Sequence, residues 1–553
     1  MTVHIGCGAG FAGDRFDAAL PILEDMRGRT GSRYLIYEVL GERTLAIAQR
    51  LRRHDPEAGY SPYLEAYLRL SLVPARAAGV RIVANLGAAN PLGAAARTAA
   101  LARELGLEGL RIAAVTGDDL LAHTDPAVLA SMPTMEGTSV AGREIVAANA
   151  YLGARPIAAA LATGADVVLV GRSTDSALVL GPLIHEYGWG EEDWDRLAAG
   201  TIAGHLLECG GQITGCYFAD PGFKDVPRLA EAGFPIAEVA ADGTMVITKP
   251  AGTGGCVTRA TVTEQLLYEM HDPAAYTVAD CVADVSGIAL TEDGPDRIQV
   301  SGVRGSQAPS TLKVTLCVDD GWLAEAELSY AGPNALARAD LAGEVVRQRL
   351  TGSGHNGPLR VETLGTGTVH DGGDPARRAM RTLPGDGEYR LRVAAPAATR
   401  AGAEAIADEV LSLYCSGPAG GGGYRRHVTE ELAIASILVP RPQIEPHVRS
   451  TRSPHDHAAT ACHRPRPRGR QRRHLEHLRH RLSPGGVAAS GGAGDGGQGA
   501  AGLRPSRREP GHTLRPAAAQ RAEPRDRDDP WRRSEQRPRP RPAWQDAVLF
   551  AAR

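Results

Sequence analysis

The segment Pro156–Leu178 reads PIAAALATGADVVLVGRSTDSAL and contains one complete helix–strand–loop unit. Its first part is rich in alanine and leucine, which favours a helix. The run ADVVLV at Ala165–Val170 is continuously apolar apart from one aspartate, which predicts a strand buried on both faces. The strand ends in the polar residues Arg172, Ser173 and Asp175. The segment therefore predicts a parallel strand with a polar loop at its carboxyl end.

The same unit recurs through the first 220 residues. TVHI ends in GCGAGFAGDR, RYLIYEVL ends in Gly41-Glu42, VRIVANLGAANP precedes LGAAARTAALARELG, and LRIAAVTGDD precedes LLAHTDPAVLASM. Strands that alternate with helices indicate an α/β domain built on a parallel sheet. We therefore predict a doubly wound, mostly parallel sheet domain over residues 1–220.

The order of predicted strands and helices changes in the second half of the chain. STLKVTLCVDD, LRVETLGTG and YRLRVAAP predict strands, whereas LARADLAGEVVRQRL and ATRAGAEAIADEVLSLY predict helices. This order favours an α+β domain over residues 221–448, in which the glycine-rich stretch Gly417–His427 either completes a cleft or serves as a connector. The sequence from 449 to 553 is rich in Arg, Pro and Gly and has neither helical nor strand periodicity, which predicts a disordered tail.

The tail also admits a different origin. For suitable codons, dropping one base turns HLEHLRHRLSPGG into ISNISVIAYRPE, which reads as a strand. We therefore predict a single-base frameshift near residues 445–460, genuine or introduced during sequencing. An early stop codon in the shifted frame of the nucleotide sequence would contradict it.

Composition limits the classes of function. The net charge is −3, but residues 451–553 carry 22 Arg against 10 Asp and Glu, so the rest of the chain is strongly acidic. An acidic body argues against a nucleic-acid partner. The eight cysteines form no C-x-x-C pair, so we predict neither a metal site nor a disulfide scaffold. The start lacks the pattern of a signal peptide and no apolar run is long enough to span a membrane, so we expect a cytoplasmic protein without a membrane partner.

The polar loops predict a ligand site, because the carboxyl ends of parallel strands meet at one edge of a sheet. Glycine amides and arginine side chains suit a carboxylate or phosphate. The expected ligand-binding residues are Gly8, Gly10, Gly13, Asp14, Arg15, Asn85, Asn90, Arg172 and Ser173. Each loop alone is more typical of a strand-end turn or a helix cap, and it is the occurrence of five such loops at one edge that favours a site.

The first loop fits G-x-G-x-x-G, which is typical of dinucleotide binding when a strand precedes it and a helix follows. Glu38 lies where an acid would bind a ribose. Pro21 opposes that interpretation, because it falls inside the expected helix and would kink it or move its start. The loop therefore favours an anion over a nicotinamide cofactor.

Four further positions complete the expected site. Lys249, one of only three lysines, precedes Thr253, Gly254 and Gly255 in an arrangement that suits either a phosphate or a solvated turn. Asp118, Asp175 and His185 are candidate proton carriers, because carboxylates and imidazoles serve as general acids and bases. The imidazole is suited to this role since histidine titrates near neutral pH. His205 and Glu208 share a helix face, which indicates a hydrogen-bonded pair more than a metal ligand set.

These segments resemble the acyclic terpene utilisation (AtuA-like) family. The matching text includes GCGAGFAGDR, VANLGAANP, NAYLGARPIAAALATGADVVLVGRSTDSALVLGPLIHEYGW, ITKPAGTGG and GPAGGGG, and it extends from residue 4 to about 447. The resemblance implies bacterial breakdown of branched acyclic acids, with citronellol- and geraniol-type compounds as the named case and CoA thioesters as intermediates. It also implies a small ferredoxin-like domain at the end of longer relatives, which residues 449–553 resemble only in the shifted frame.

Together these features predict an enzyme that acts on a carboxylate or a CoA thioester, of lyase or hydratase type. Asp118, Asp175 or His185 would move the proton, and Lys249 would stabilise negative charge. CoA enters as part of the substrate, and no other cofactor is assigned. An NAD(P)-dependent oxidoreductase and a non-catalytic partner subunit of a pathway carboxylase or ligase are the alternatives, and a homo-oligomer or a pathway enzyme is the expected protein partner.

Overall fold

The computed structural model describes residues 2–366 and 387–452, whose strands form three sheets. The strands are β1 Thr2–Ala9, β2 Ser32–Tyr37, β3 Arg81–Ala84, β4 Arg111–Thr116, β5 Ile145–Ala150, β6 Val167–Val170, β7 Ile236–Ala240, β8 Met245–Thr248, β9 Tyr276–Thr277, β10 Val282–Asp284, β11 Ala289–Glu292, β12 Ile298–Ser301, β13 Arg304–Ser306, β14 Thr311–Ala331, β15 Arg360–Leu364, β16 Glu388–Ala397, β17 Gly422–Pro440 and β18 His447–Arg452. The helices are α1 Ala19–Met26, α2 Glu42–His54, α3 Leu64–Ala78, α4 Pro91–Glu104, α5 Pro126–Ser131, α6 Arg155–Ala162, α7 Ala177–Tyr187, α8 Trp194–Glu208, α9 Arg259–Leu267, α10 Ala335–Gly352 and α11 Arg400–Ser416.

The largest sheet has ten strands in the order β11-β12-β8-β7-β1-β2-β3-β6-β4-β18. Its centre, β1-β2-β3-β6-β4, is entirely parallel. Every pairing outside this centre is antiparallel. The mixed α/β class is confirmed, and the parallel character predicted for the first 220 residues is found among their strands in this sheet.

Helices cover both faces of the parallel centre, and the burial of its strands follows from this. Ile22, Leu68 and Leu101 from α1, α3 and α4 pack on one face. Leu180 and Ile202 from α7 and α8 pack on the other face. Because neither face meets water, strands such as β6, which reads VVLV, are apolar at consecutive positions rather than at alternate ones.

The second sheet has the order β15-β16-β14-β17, and β5 pairs with the first part of β14. The long β14 therefore connects two environments. Its first part pairs with β5 next to the large sheet, and its second part, with β16, packs beneath α10 and α11. The remaining three strands, β13-β10-β9, form a small sheet beside α8.

The predicted division of the chain at residue 220 stays a prediction, but the large sheet takes strands from both sides of it. The predicted tail requires one correction. Disorder is expected from residue 449, whereas β18 continues through Arg452 and pairs with β4. The β-branched residues Val448 and Thr451 suit such a strand. The rest of the tail and the proposed frameshift text lie outside the described residues.

Two predicted helices begin later than the pattern indicates, and proline is the reason in both. The helix after the glycine loop starts at Ala19, which places Pro21 in its first turn, where a missing N–H costs little. In LLAHTDPAVLASM only a short 3-10 turn forms first. The helix α5 then starts at Pro126, with the carboxylate of Asp125 capping the N–H of Ala127.

Candidate functional site

The carboxyl edge of the large sheet brings together most of the loops that the sequence singles out. The parallel strands β1, β2, β3, β6 and β4 all end there. The strand β8 ends at the same edge, because it is antiparallel to β7, which is antiparallel to β1. Gly10, Asn85, Asp118, Arg172 and Lys249 follow these strands. We call this side of the molecule the carboxyl edge and the opposite side the amino edge.

The glycine loop is packed against the protein itself. A Cβ on Gly10 would lie 2.2 Å from the carbonyl carbon of Cys209, and one on Gly8 would lie 2.7 Å from the ring of Tyr37. Gly13 has a φ of 91°, which a residue with a side chain rarely adopts. These glycines are therefore explained by close packing and by a turn.

The loop also carries its own anion. The Asp14 carboxylate accepts hydrogen bonds from the N–H of Gly10, at 3.0 Å, and from the N–H of Arg15, at 2.7 Å. Arg15 itself pairs with Asp17 at 3.1 Å and donates to the carbonyl of Ala232 at 3.0 Å. The groups predicted to hold a ligand anion or a dinucleotide are thus engaged with neighbouring residues.

A buried polar centre lies where β6 and β4 end. The Asp118 carboxylate accepts the N–H of Arg172 at 2.9 Å and the side-chain amide of Asn149 at 2.8 Å. Burial, opposed by these two hydrogen bonds and reinforced by the adjacent Asp119, raises the pKa of Asp118 to about 6. The side chain of Asp118 is only 4% exposed, and this burial is what brings its pKa towards neutral.

Arg172 is the cation of this centre and is 1% exposed. Its Nε donates to the carbonyl of Ser173 at 2.9 Å, and its terminal nitrogens donate to the carbonyl of Leu40 and to the carboxylate of Asp175. The guanidinium carbon lies 4.6 Å from the centroid of the Tyr151 ring. The predicted pair of Arg172 and Asp175 is thus an internal ion pair, with only Asp175 reaching solvent.

The two asparagines differ in role. Asn85 is fully buried, accepts the N–H of Val39 at 2.8 Å and donates to Glu38 at 2.7 Å. Asn90 caps α4 through the N–H of Gly93 at 2.9 Å and donates to the carbonyl of Ala58 at 2.9 Å. Asn85 therefore contacts the polar centre through Glu38, whereas the contacts of Asn90 are those of a helix cap.

Lys249 reaches the carboxyl edge but is neutralised there. Its Nζ lies 3.1 Å from the carboxylate of Asp296 and donates to the carbonyl of Thr253 at 3.0 Å. A Cβ on Gly254 or Gly255 would lie 2.0 Å from the carbonyl oxygen of Arg228 or 2.5 Å from that of Thr214. The turn is therefore a tightly packed structural element, and Lys249 is not a free cation.

Two other predicted positions behave differently. The hydroxyl of Ser173 is buried and has no hydrogen-bond partner among the described residues. The stretch predicted to complete a cleft, Gly417–His427, contributes Gly422 onward to β17, and its glycines pack against Arg338, Leu328 and Tyr330 of the second sheet and α10. Its contacts are therefore those of the α10–α11 layer rather than of the polar centre.

His185 lies at the amino edge, away from Asp118 and Asp175. It is near the end of α7, which runs back along the sheet, so about ten residues or roughly 15 Å of helix separate it from Asp175. Its Nε2 is 3.1 Å from a nitrogen of Arg81, a residue at the start of β3. Burial and Arg81 lower the pKa of His185 against the opposing effect of Glu186. The structure therefore does not assemble the predicted set of proton carriers at one place.

The structure relates four acidic residues that the sequence does not group, although it singles out Glu38 and Glu208 separately. We call them the acid cluster: Glu38, Glu42, Glu208 and Glu269. They come from the end of β2, the start of α2, the end of α8 and the residue pair after α9. The repulsion of Glu208 acts on both Glu38 and Glu269, and that of Glu42 acts on Glu269. Glu208 is therefore close enough to influence the charge of both Glu38 and Glu269, and Glu42 is close enough to influence that of Glu269.

Within this cluster the pKa of Glu38 is displaced upwards and that of Glu42 downwards. Burial, with Glu208 adding to it, raises the pKa of Glu38 against the pull of Arg172. Burial also acts to raise the pKa of Glu42, but Arg172, Tyr151 and Lys313 outweigh it and hold that pKa below its ordinary value. Such a division supplies one proton donor and one proton acceptor at a single pH.

Glu269 is the most unusual member of the cluster. It is exposed, yet surrounding protein atoms desolvate its carboxyl group, and this effect together with Glu208 raises its pKa. Its φ is 55°, a left-handed conformation that is uncommon for a residue with a side chain. Such strain is frequent at functional positions. No sequence motif marks Glu269, and only its φ would have pointed to it.

His205 supports the cluster from inside. Its Nδ1 is 3.0 Å from the carboxylate of Glu208, and its Nε2 is 3.0 Å from the carbonyl of Leu266. Both partners accept, so both nitrogens carry protons when Glu208 is ionised. Burial acts to lower the pKa of His205, but Glu208 outweighs it and the pKa is raised. The predicted hydrogen-bonded pair is present.

Two general features of the described residues accompany this site. They contain no group of three or more His, Cys, Asp or Glu side chains arranged to hold a metal ion. None of the helices in residues 2–366 and 387–452 combines the length and apolar character needed to cross a membrane.

Comparison with known proteins adds the family. The sequence model of the acyclic terpene utilisation family protein AtuA matches residues 3–450. No curated protein and no solved structure matches the chain. Because the match covers most of the chain, including the acid cluster, the chain belongs to the acyclic terpene utilisation family AtuA, which implicates it in the use of acyclic terpenes.

Proposed function

We propose that this protein is an enzyme of the breakdown of acyclic terpenoid or other branched carboxylic acids. It acts on a carboxylate or its CoA thioester by proton transfer, in a reaction of lyase or hydratase type. The reaction takes place at the carboxyl edge, beside the acid cluster. The observation that carries the proposal is the opposite displacement of carboxyl pKa values in that cluster.

A lyase or hydratase removes a proton next to a carbonyl and protonates a leaving hydroxyl group, so it needs a base and an acid together. Glu42, held ionised by Arg172, is suited to stabilise positive charge or accept a proton. Glu269 and Glu38, whose pKa values are raised by burial and by Glu208, are suited to hold a proton and to donate it. We assign the proton transfer at carbon to Glu269, since it is the exposed member.

The anion-binding role moves from the glycine loop to Lys313. Its Nζ lies 4.7 Å from the centroid of Tyr151, on a ring that also contacts Arg172. The nearest carboxylate oxygen, on Glu42, is 3.7 Å away, and the lysine side chain is 41% exposed. Lys313 therefore combines an available charge with contact to the cluster, and it is suited to bind the substrate carboxyl or thioester oxygen. Buried Arg172 supplies a fixed positive field behind it.

Exchange of substrate hydrogen with D2O tests the proposal directly. The full-length protein is incubated in D2O with citronellic acid, geranic acid and their CoA thioesters, and mass spectrometry follows deuterium uptake and the gain or loss of water. We expect exchange at the carbon next to the carboxyl carbon with at least one of these compounds. Glu269→Gln should slow that exchange by about 100-fold or more, in line with the loss of a general base.

Glu264→Gln is the matched control. Glu264 lies on α9, five residues before Glu269, and it is an exposed acid that pairs with Lys224. The Glu264→Gln variant should exchange substrate hydrogen with D2O at the native rate. Equal rates for native protein and Glu269→Gln would reject the assigned base, and absence of exchange and of water transfer with every compound would reject the reaction class.

A further inference from the structure

The amino edge of the large sheet contains a cavity of about 460 Å³. The starts of β3, β4 and β6 and the carboxyl end of α3 line it. This volume lies within the range of small-molecule sites. It is on the side of the sheet opposite to the acid cluster, so it is separate from the proposed reaction.

The charged lining of this cavity is unbalanced. Arg76, Arg81 and Arg111 contribute three guanidinium groups, whereas Asp166 contributes the one carboxylate that the described residues place in the lining. Asp166 lies 3.5 Å from Arg76 and 4.0 Å from Arg111, and it already accepts the backbone N–H of Arg111 at 2.8 Å. Charge-assisted hydrogen bonds are shorter, about 2.7–2.9 Å. One carboxylate is therefore shared loosely between two arginines.

The third arginine is also incompletely neutralised. Arg81 is 3.8 Å from the carboxylate of Glu186 and makes its shorter contacts with neutral groups, the hydroxyl of Tyr34 at 3.2 Å and the ring of His185 at 3.1 Å. Glu186 accepts hydrogen bonds from the hydroxyls of Ser32 and Tyr34, which compete with Arg81 for it. Within the described residues, none of the three guanidinium groups has a close carboxylate of its own.

The protein scaffold does not explain this arrangement. The carboxyl end of α3 carries a partial negative charge that would attract a cation such as Arg76 in its last turn. Arg81 and Arg111 belong to two different strands, so the helix end accounts for one arginine of three. Three like charges around one cavity repel each other, and the single carboxylate of Asp166 offsets only part of this repulsion.

We propose that this cavity binds the phosphate or diphosphate group of a small organic molecule. Arginine forks match phosphate oxygens in pairs, and three of them around one volume suit an oxyanion with several acceptor atoms. The volume exceeds that of a single inorganic ion, so the organic part of the ligand occupies the remainder. Asp166 disfavours the anion and sets its affinity.

Isothermal titration calorimetry of the full-length protein with pyrophosphate and with ADP, at low ionic strength, tests the site. We expect a dissociation constant below about 1 mM for at least one of the two probes. Arg76→Gln and Arg111→Gln should each weaken it by about tenfold or more, and Asp166→Asn should tighten it several-fold. Arg69→Gln is the matched control, because Arg69 is on α3 outside the lining and pairs with Glu104 at 2.7 Å.

The outcomes separate clearly. Binding of pyrophosphate assigns recognition to the phosphate groups alone, whereas binding of ADP without pyrophosphate assigns it to a phosphorylated nucleoside, and both support the site when the cavity arginines are needed. No heat with either probe at about 5 mM, a native affinity in either cavity variant, or an equal loss in Arg69→Gln would overturn it. The tighter binding expected for Asp166→Asn is not produced by unfolding, so a folding defect cannot imitate it.

Discussion

The two edges of the large sheet are built from the same strands but carry opposite charge. At the carboxyl edge, acids surround one buried arginine, Arg172, whose polar atoms contact neighbouring residues. At the amino edge, three arginines surround a cavity and share loosely held carboxylates. The comparison shows that a strand can present different chemistry at its two ends, because each end belongs to a different loop and a different neighbouring helix.

Replacement of Arg172 should give the largest effect on stability. Arg172→Met removes the buried cation that faces Glu38, Glu42 and Asp175, and the free energy of unfolding should fall by about 3–5 kcal/mol, the usual cost of breaking a buried pair. Arg111→Met at the amino edge is the matched change. Arg111 is 44% exposed and its carboxylate is 4.0 Å away, so the loss there should be about 0.5 kcal/mol.

Guanidinium denaturation of the two variants measures this difference. Similar losses in Arg172→Met and Arg111→Met would mean that the two edges are alike in energy, contrary to the structure. Arg172→Lys refines the result, because it keeps the charge but not the planar fork that reaches Leu40, Ser173 and Asp175 together. Its loss should fall between those of the other two variants.

The contrast between the edges also explains what could be predicted from the sequence. The run ADVVLVGRS at Ala165–Ser173 predicts a buried strand followed by a polar loop, and the rule for parallel strands places such loops together. That is local information followed by one topological step. Lys249 reaches the same edge only because β7 is antiparallel to both β1 and β8. No residue pattern in the sequence predicts that orientation of β7.

The acid cluster and the amino-edge cavity could not be predicted for a related reason. Glu38 and Glu269 are 231 residues apart in the sequence, and only the tertiary fold brings Glu208 within electrostatic range of both. Arg76 and Arg111 likewise lie on separate elements without a shared motif. Spacing reveals sites formed within one loop, whereas these sites form between loops.

The next effect in size is the pH dependence of stability that Asp118 produces. Its folded pKa, about 6, lies above its ordinary value of 3.8, so the folded protein keeps this proton when the unfolded chain has lost it. The stabilising contribution is fully present below about pH 4 and is lost as the pH rises through about 6, a change on the order of 2–3 kcal/mol. Denaturation at several pH values should therefore show native stability falling across this window.

Asp118→Asn isolates the contribution of that carboxyl group. An asparagine keeps one acceptor for the N–H of Arg172 but has no proton to lose in this range. The difference in unfolding free energy between native protein and variant should change across about pH 4 to 7 in favour of the variant at the higher pH. A difference that stays constant over the window would contradict the raised pKa.

The smallest effect concerns His185, and it tests whether the two edges work independently. His185→Asn removes the ring that contacts Arg81 at 3.1 Å and should cost about 1 kcal/mol, the value of one hydrogen bond. Most of the length of α7 lies between His185 and Asp175, so deuterium exchange at the carboxyl edge should continue at the native rate. A variant that unfolds normally but loses exchange would show that His185 takes part in the reaction. The division of the sheet into a reactive acidic edge and a phosphate-binding basic edge would then be wrong, since one residue would serve both.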